Sequence, residues 1–268
     1  MSEELRSRAN EDGGFAPSQG ASEPEPTAIA ALALGADPVG EKARSWLRAH
    51  QRRDGTWAPV AGPPRPTITA TALAALALEH GDERTRALDA LGRLRAPVLA
   101  PSPLRGWGWT PRMFGWVEPT AWAMLALKRH RPNARGLIDD GERVLADREC
   151  VGGGWNYGNR TVYRQDLGPY VQTTAVALIS LQGSEQRDLV DRSLHLLRAR
   201  WRDEAGALST AMTVLALQLL AGASDPDLAA ARDALSREIA ATVSFGDTGA
   251  LAWSVLALAG DVDVLTVS

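Results

Sequence analysis

The chain has 268 residues, a net charge of −3, a pI near 5.9 and 45% hydrophobic residues, which is enough for one large domain with a buried core. That balance leaves no electrostatic footprint for nucleic acid, and no apolar run of about 18 residues or more offers a transmembrane helix. The charged start, MSEELRSRANEDGGF, has no apolar signal-peptide core, and the one cysteine, Cys150, cannot make an internal disulfide, so a cytoplasmic protein is expected.

From the N-terminus, SEELRSRAN is a short helical segment, and the first strongly apolar segment is TAIAALAL at 27–34. It recurs as TALAALAL at 71–78, TAWAMLAL at 120–127 and TAVALISL at 174–181, then more loosely as TAMTVLAL at 210–217 and LAWSVLAL at 251–258. The starts lie 44, 49, 54, 36 and 41 residues apart, the period of a helix pair. These segments are apolar on nearly every side, so they are predicted to be inner helices buried all round, near 26–35, 67–79, 118–130, 170–182, 207–221 and 248–259. Between them run amphipathic segments such as VGEKARSWLRAHQ and NARGLIDDGERVLADR. In the latter, Leu137, Ile138, Val144 and Leu145 share one face.

Gly-aromatic turns join the two kinds of helix: DGGF at 12–15, DGTW at 54–57, GWGW at 106–109 and GGGW at 152–155. Glycine supplies the left-handed or close-approach position after an outer helix, and the aromatic plugs the gap between hairpins. The pattern predicts an all-α fold, a closed (α/α)6 toroid of six helical hairpins forming a single domain over 1–268, with SEELRSRAN as the sixth outer helix. An open solenoid would need polar terminal caps, whereas LAWSVLALAG is fully apolar.

One repeat is fuller than the others. ARSWLRAHQRRDGTW, with Arg44, Trp46, Leu47, Gln51, Gly55 and Trp57, resembles the QW motif of squalene–hopene and oxidosqualene cyclases and of the prenyltransferase/squalene-oxidase repeat family. The resemblance implies a toroid around a site for a hydrophobic, isoprenoid-type small molecule. It also implies a bracing role for the Gln, whose side chain satisfies backbone groups at a helix end while its plane lies on the Trp. The D-x-D-D motif of the cyclases is missing: Asp261-Val262-Asp263 lacks its last Asp, and Asp139-Asp140 falls on an outer helix. The zinc set of protein prenyltransferases is not reproduced either. Asp147 and Cys150 are three apart rather than two, and His195 lies within another outer helix, so no metal site is expected. His50, His80 and His130 read as helix C-terminal residues.

A toroid has a central hollow, and residues two before each repeated Thr should face comparable places around its mouth. They are Glu25, Thr69, Glu118, Gln172, Leu208 and Gly249. The E-P-T at 25–27 and 118–120 reads first as helix starts and second as a polar ring with Glu118 as acid or base, its pKa raised beside Trp116 and Trp122. The loops before the third and fourth inner helices are the richest. Trp107, Trp109, Trp116, Trp122 and Trp155 are candidate ligand contacts, as are Asn156, Tyr157, Asn159, Arg160 and Tyr170, with Asp166 a second catalytic candidate. Arg160 would either clamp Asp166 or bind a diphosphate. No cofactor is expected, except Mg²⁺ if the ligand is a diphosphate. Three functions fit: an enzyme or binder for an isoprenoid-type molecule, using cation–π contacts; a scaffold for a protein partner; and a carbohydrate-active enzyme. The last would need carboxylates closer together than Glu25 and Glu118 are expected to be.

Overall fold

The computed structural model describes residues 1–60, 65–98, 103–242 and 246–267. The apolar repeats fold as α2 (Pro24–Leu34), α4 (Ile68–Ala77), α6 (Val117–His130), α8 (Val171–Ser180), α10 (Ala207–Leu220) and α12 (Thr248–Ala259). Nearly every residue of α2, α4 and α12 is buried, as an all-round apolar sequence demands. The amphipathic segments form α3 (Pro38–Ala49), α5 (Asp82–Arg93), α7 (Arg135–Arg148), α9 (Arg187–Arg200) and α11 (Pro226–Thr242), with α1 (Ser2–Ser7) before them. They bury one face only; in α7 that face is Ile138, Gly141, Val144 and Leu145. α2 starts at Pro24 rather than near 26, because proline in a first turn forfeits no hydrogen bond.

The inner helices pack in chain order, α2 on α4, α4 on α6, α6 on α8, α8 on α10 and α10 on α12, and α12 packs back on α2. The outer helices lie against their partners: α3 on α2, α5 on α4, α7 on α6, α9 on α8 and α11 on both α10 and α12. α1 also packs on α12, anchored by the fully buried Leu5.

The Gly-aromatic turns are built alike. Trp57, Trp107 and Trp155 are completely buried, and each indole N–H donates to a carbonyl of the preceding outer helix: Leu47 at 2.9 Å, Leu91 at 2.8 Å and Leu145 at 2.6 Å. Each backbone N–H donates to the repeated Thr of the next inner helix, Thr71 at 3.3 Å, Thr120 at 3.0 Å and Thr174 at 3.0 Å, and Phe15 does the same to Thr27 at 2.8 Å. A Thr at the same place in four repeats thus satisfies a buried joint amide, which is why T-A begins those four. At Gly55, φ is +85° and a Cβ would collide with the Arg86 carbonyl, so the second residue of DGTW has to be glycine.

In the QW-like segment, Gln51 Nε2 donates to the Glu83 carbonyl at 2.7 Å and the Gly55 carbonyl at 3.2 Å, and its Oε1 accepts from Arg86. Gln51 therefore ties one hairpin to the next. The His50 ring stacks on Trp46 with centroids 3.8 Å apart. Arg44 reaches from α3 to the carbonyl of Ala31 in α2 at 3.1 Å.

After α12, the chain crosses the C-terminal ends of the inner helices. A 3₁₀ turn at Asp263–Leu265 buries Leu265 completely and packs on α4, and the Gln182 side chain, just past α8, donates to the Leu265 carbonyl at 2.9 Å. This end is plugged, and the open end is at the helix N-termini. Among the described residues, no helix is long and apolar enough to cross a membrane.

Candidate functional site

A cavity of about 560 Å³ opens at the N-terminal ends of the inner helices. Its walls carry one residue from the start of every inner helix: Glu25, Thr69, Glu118, Gln172, Leu208 and Gly249. Four residues deeper on each helix lies a second ring, Ile29, Leu73, Trp122, Val176, Met212 and Trp253. A four-residue step keeps the same helix face one turn further in. Three residues beyond that, Leu32, Leu76, Leu125, Ile179, Leu215 and Leu256 are all buried and end the hollow. The rim is completed by Pro17, Pro59, Trp109, Glu23 and Asp247.

The two rings differ in chemistry. The upper one is mostly polar, and the lower one is apolar and aromatic. Trp122 and Trp253 stack with ring centroids 5.2 Å apart and planes 13° apart. They come from α6 and α12, which stand three places apart in the packing order, so this indole pair spans the hollow. Glu118 sits one turn above Trp122 and accepts a hydrogen bond from its side chain. The Glu118 carboxyl is pushed up to about 7, chiefly by burial and also by the charge of Glu25, with the Trp122 bond opposing both. The Glu25 carboxyl keeps access to the cavity space yet is ringed by protein, and that burial raises its pKa too. Glu25 and Glu118 line one cavity, and the charge of Glu25 helps to raise the Glu118 pKa. The Thr69 hydroxyl, on the same wall, is buried without a hydrogen-bond partner, so it is available to a ligand. Asp247 is occupied as the N-cap of α12, accepting from the Ala250 N–H at 2.9 Å.

Of the sequence-derived candidates, Glu25, Trp109, Glu118, Trp122 and Gln172 line this cavity. The others do not. Trp107 and Trp155 are fully buried joint residues whose N–H groups are already bonded. Trp116 packs beneath Gly158 and stacks on Phe114 at 4.8 Å. Asn156 is buried, its Oδ1 accepting from the Gly158 N–H at 2.9 Å and its Nδ2 donating to the Asn159 carbonyl at 3.1 Å. Asn159 also accepts from Arg148. Tyr157 uses its carbonyl to cap α6, accepting from the Val117 N–H at 3.0 Å, and its exposed ring lies 4.9 Å from that of Tyr170.

The segment beyond is a small hairpin, β1 (Thr161–Val162) paired with β2 (Gln165–Asp166). Its two turn residues, Tyr163 and Arg164, have φ of +50° and +64°, as a tight primed turn requires. Arg160 and Asp166 are exposed there, and Asp166 accepts from Thr161 at 3.0 Å, so the expected Arg160–Asp166 clamp does not form. Sequence reasoning favoured this loop for its density of polar groups, but none of them lines the hollow. What it missed is the second ring, Trp253 above all, although a step of four from each upper position would have found it.

Among the described residues, no group of three or more His, Cys, Asp or Glu is placed to hold a metal ion. Cys150 is buried, and burial raises its pKa, as befits an unreactive thiol.

No protein-family model matches the chain, and no curated protein matches it in sequence. Solved structures do match in fold. A protein from Actinoplanes superposes with a TM-score of 0.62 at 15% identity over 96% of both chains. A variant of the type II terpene cyclase MstE from Scytonema, bound to its product merosterolic acid A, gives 0.62 at 16% identity over 96% of this chain and 94% of that one. Another MstE variant, bound to its substrate geranylgeranyl dihydroxybenzoate, gives 0.55 at 17% identity over 90% and 75%. The fold is therefore that of terpene-cyclase-like helical toroids.

Proposed function

We propose that this protein is a single closed toroid of six helical hairpins, akin to the squalene-cyclase and prenyltransferase repeat proteins, that holds a hydrophobic isoprenoid-type molecule in its cavity and acts on it through Glu118. The observation that carries the reading is the vertical order of the hollow: a protonatable carboxyl directly above a stacked indole pair. With its pKa near 7, Glu118 holds its proton in a good fraction of molecules at neutral pH. Transfer of that proton to an alkene carbon uses the π pair to form a C–H bond. The neighbouring carbon becomes cationic, over indole faces suited to receive it. Attack by a second alkene closes a ring and moves the cation to a new carbon; return of a different proton to the Glu118 carboxylate then forms the final alkene and ends the isomerisation or cyclisation with no net oxidation.

The test is incubation with neutral linear polyprenes in D₂O, read by mass spectrometry. The expected product is an isomer carrying deuterium, absent with Glu118→Gln. If no such compound is converted and none stays bound in native mass spectra, the reading fails. A second reading, a protein-interaction role, is favoured by the hairpin, where Tyr163 is 96% exposed. The aromatic patch expected for it around Trp107, Trp109 and Trp116 is absent, because Trp107 is fully buried and the other two are partly covered.

A further inference from the structure

The cavity wall carries Glu23, Glu25, Glu118 and Asp247, and among the described residues no Lys, Arg or His. The undescribed residues, 61–64, 99–102, 243–245 and 268, contain no charged side chain either. Glu23 accepts from the Val60 N–H at 2.7 Å and Asp247 caps α12, so Glu25 and Glu118 are the carboxyls turned to a ligand. Neither has an ion-pair partner within 4.0 Å among the described residues; the ion pairs all lie elsewhere.

A diphosphate ester carries two to three negative charges, and here it would meet two carboxylates with no cation to offset either. Each such like-charge contact is repulsive, and a wall partly shut off from water screens it poorly. A divalent cation could bridge the two, but no trio of ligating side chains converges among the described residues. A positive charge would lie between the carboxylates and above the Trp122–Trp253 indoles, both of which attract it. A neutral hydroxyl head can use the unpartnered Thr69 hydroxyl.

We propose that the cavity selects its ligand by head-group charge, accepting an isoprenoid-type chain with a neutral or ammonium head and rejecting the diphosphate ester of the same chain. This deepens, and rests on, the terpenoid reading above. It also replaces the sequence-based idea of a diphosphate held by Arg160 with Mg²⁺. The preference for an ammonium head should grow with pH through about 7 as Glu118 ionises, with Glu25 changing in the same direction. The other titratable groups on the wall are Glu23 and Asp247; α4, α8 and α10 contribute none.

The test is binding of farnesylamine, farnesol and farnesyl diphosphate, each below its aggregation concentration. Binding would be followed by tryptophan fluorescence and native mass spectrometry at pH 6 and pH 8, with and without Mg²⁺. Expected at pH 8 is the order amine, alcohol, diphosphate, with steps of about tenfold, each step being about 1.4 kcal/mol, and a smaller amine–alcohol step at pH 6. In Glu118→Gln and in the Glu25→Gln/Glu118→Gln pair, farnesol should still bind, which verifies folding, while the amine advantage falls to within about twofold. Diphosphate binding as tight as the alcohol, with or without Mg²⁺, overturns the charge selection and leaves the terpenoid reading standing. Binding of none of the three overturns both.

Discussion

The mouth of the cavity and the 156–170 loop are made of the same residue types, and they do opposite things. Both carry carboxylates, aromatics and amides in the stretch that follows a Gly-aromatic joint. At the mouth, six helix N-termini aim those groups inward, where burial lifts Glu118 to about 7. In the loop, Asn156 and the Tyr157 carbonyl are consumed by turn and capping bonds, and Arg160, Tyr163 and Asp166 stand in solvent on a two-stranded hairpin. A local richness of functional groups is therefore no guide to a site unless the fold makes them converge.

The comparison can be broken or sharpened by mutation. The largest effect is expected at the joint inside the loop. Trp155→Ala or Trp107→Ala removes a fully buried indole and leaves an outer-helix carbonyl unpaired. Denaturant unfolding should show a loss of about 3–5 kcal/mol; a loss below about 1 kcal/mol would mean GGGW is not the joint described here.

Next comes Glu118→Gln at the mouth. A carboxyl whose folded pKa is raised contributes its stability below its ordinary value near 4.5 and loses it as pH climbs towards about 7. The variant escapes that loss, so it should be more stable than the parent by roughly 1–2 kcal/mol at pH 8 and near parity at pH 4.5. An identical difference at both pH values would show that Glu118 is not buried as described.

Thr174→Val tests the bond between the two halves of a joint. It leaves the buried Trp155 amide without its acceptor and should cost about 1–2 kcal/mol, measured by thermal unfolding, with ligand binding unchanged at temperatures where the fold persists. The smallest effect belongs to the hairpin. Arg160→Ala and Asp166→Asn should each lie within about 0.5 kcal/mol of the parent and leave cavity occupancy in native mass spectra untouched. A loss of ligand in either variant would reinstate the loop as the site.

Much of the fold was legible from residue patterns because those signals are local. An all-round apolar octet has to be buried whatever surrounds it, and the turns DGGF, DGTW, GWGW and GGGW each mark a joint. Thr at the head of each repeat was visible as repetition, although its duty, accepting from the joint amide, was not. The upper ring could be named in advance for a similar reason: equivalent positions in equivalent repeats face equivalent places.

What the linear chain could not show is convergence. The Trp122–Trp253 stack exists because α12 packs back on α2 and thereby sets α6 and α12 on opposite sides of one hollow. The raised pKa of Glu118 comes from protein packed around it and from a charge two repeats away. The absence of any described cation from the cavity wall depends on where every Arg falls: the arginines take outer helices and loops, and Arg129 takes the last turn of α6, at the far end from the mouth. Periodicity therefore specified the helices, their joints and their order. Desolvation and charge, which depend on every neighbour at once, were settled by three-dimensional packing, and they are what make one end of this protein a candidate site.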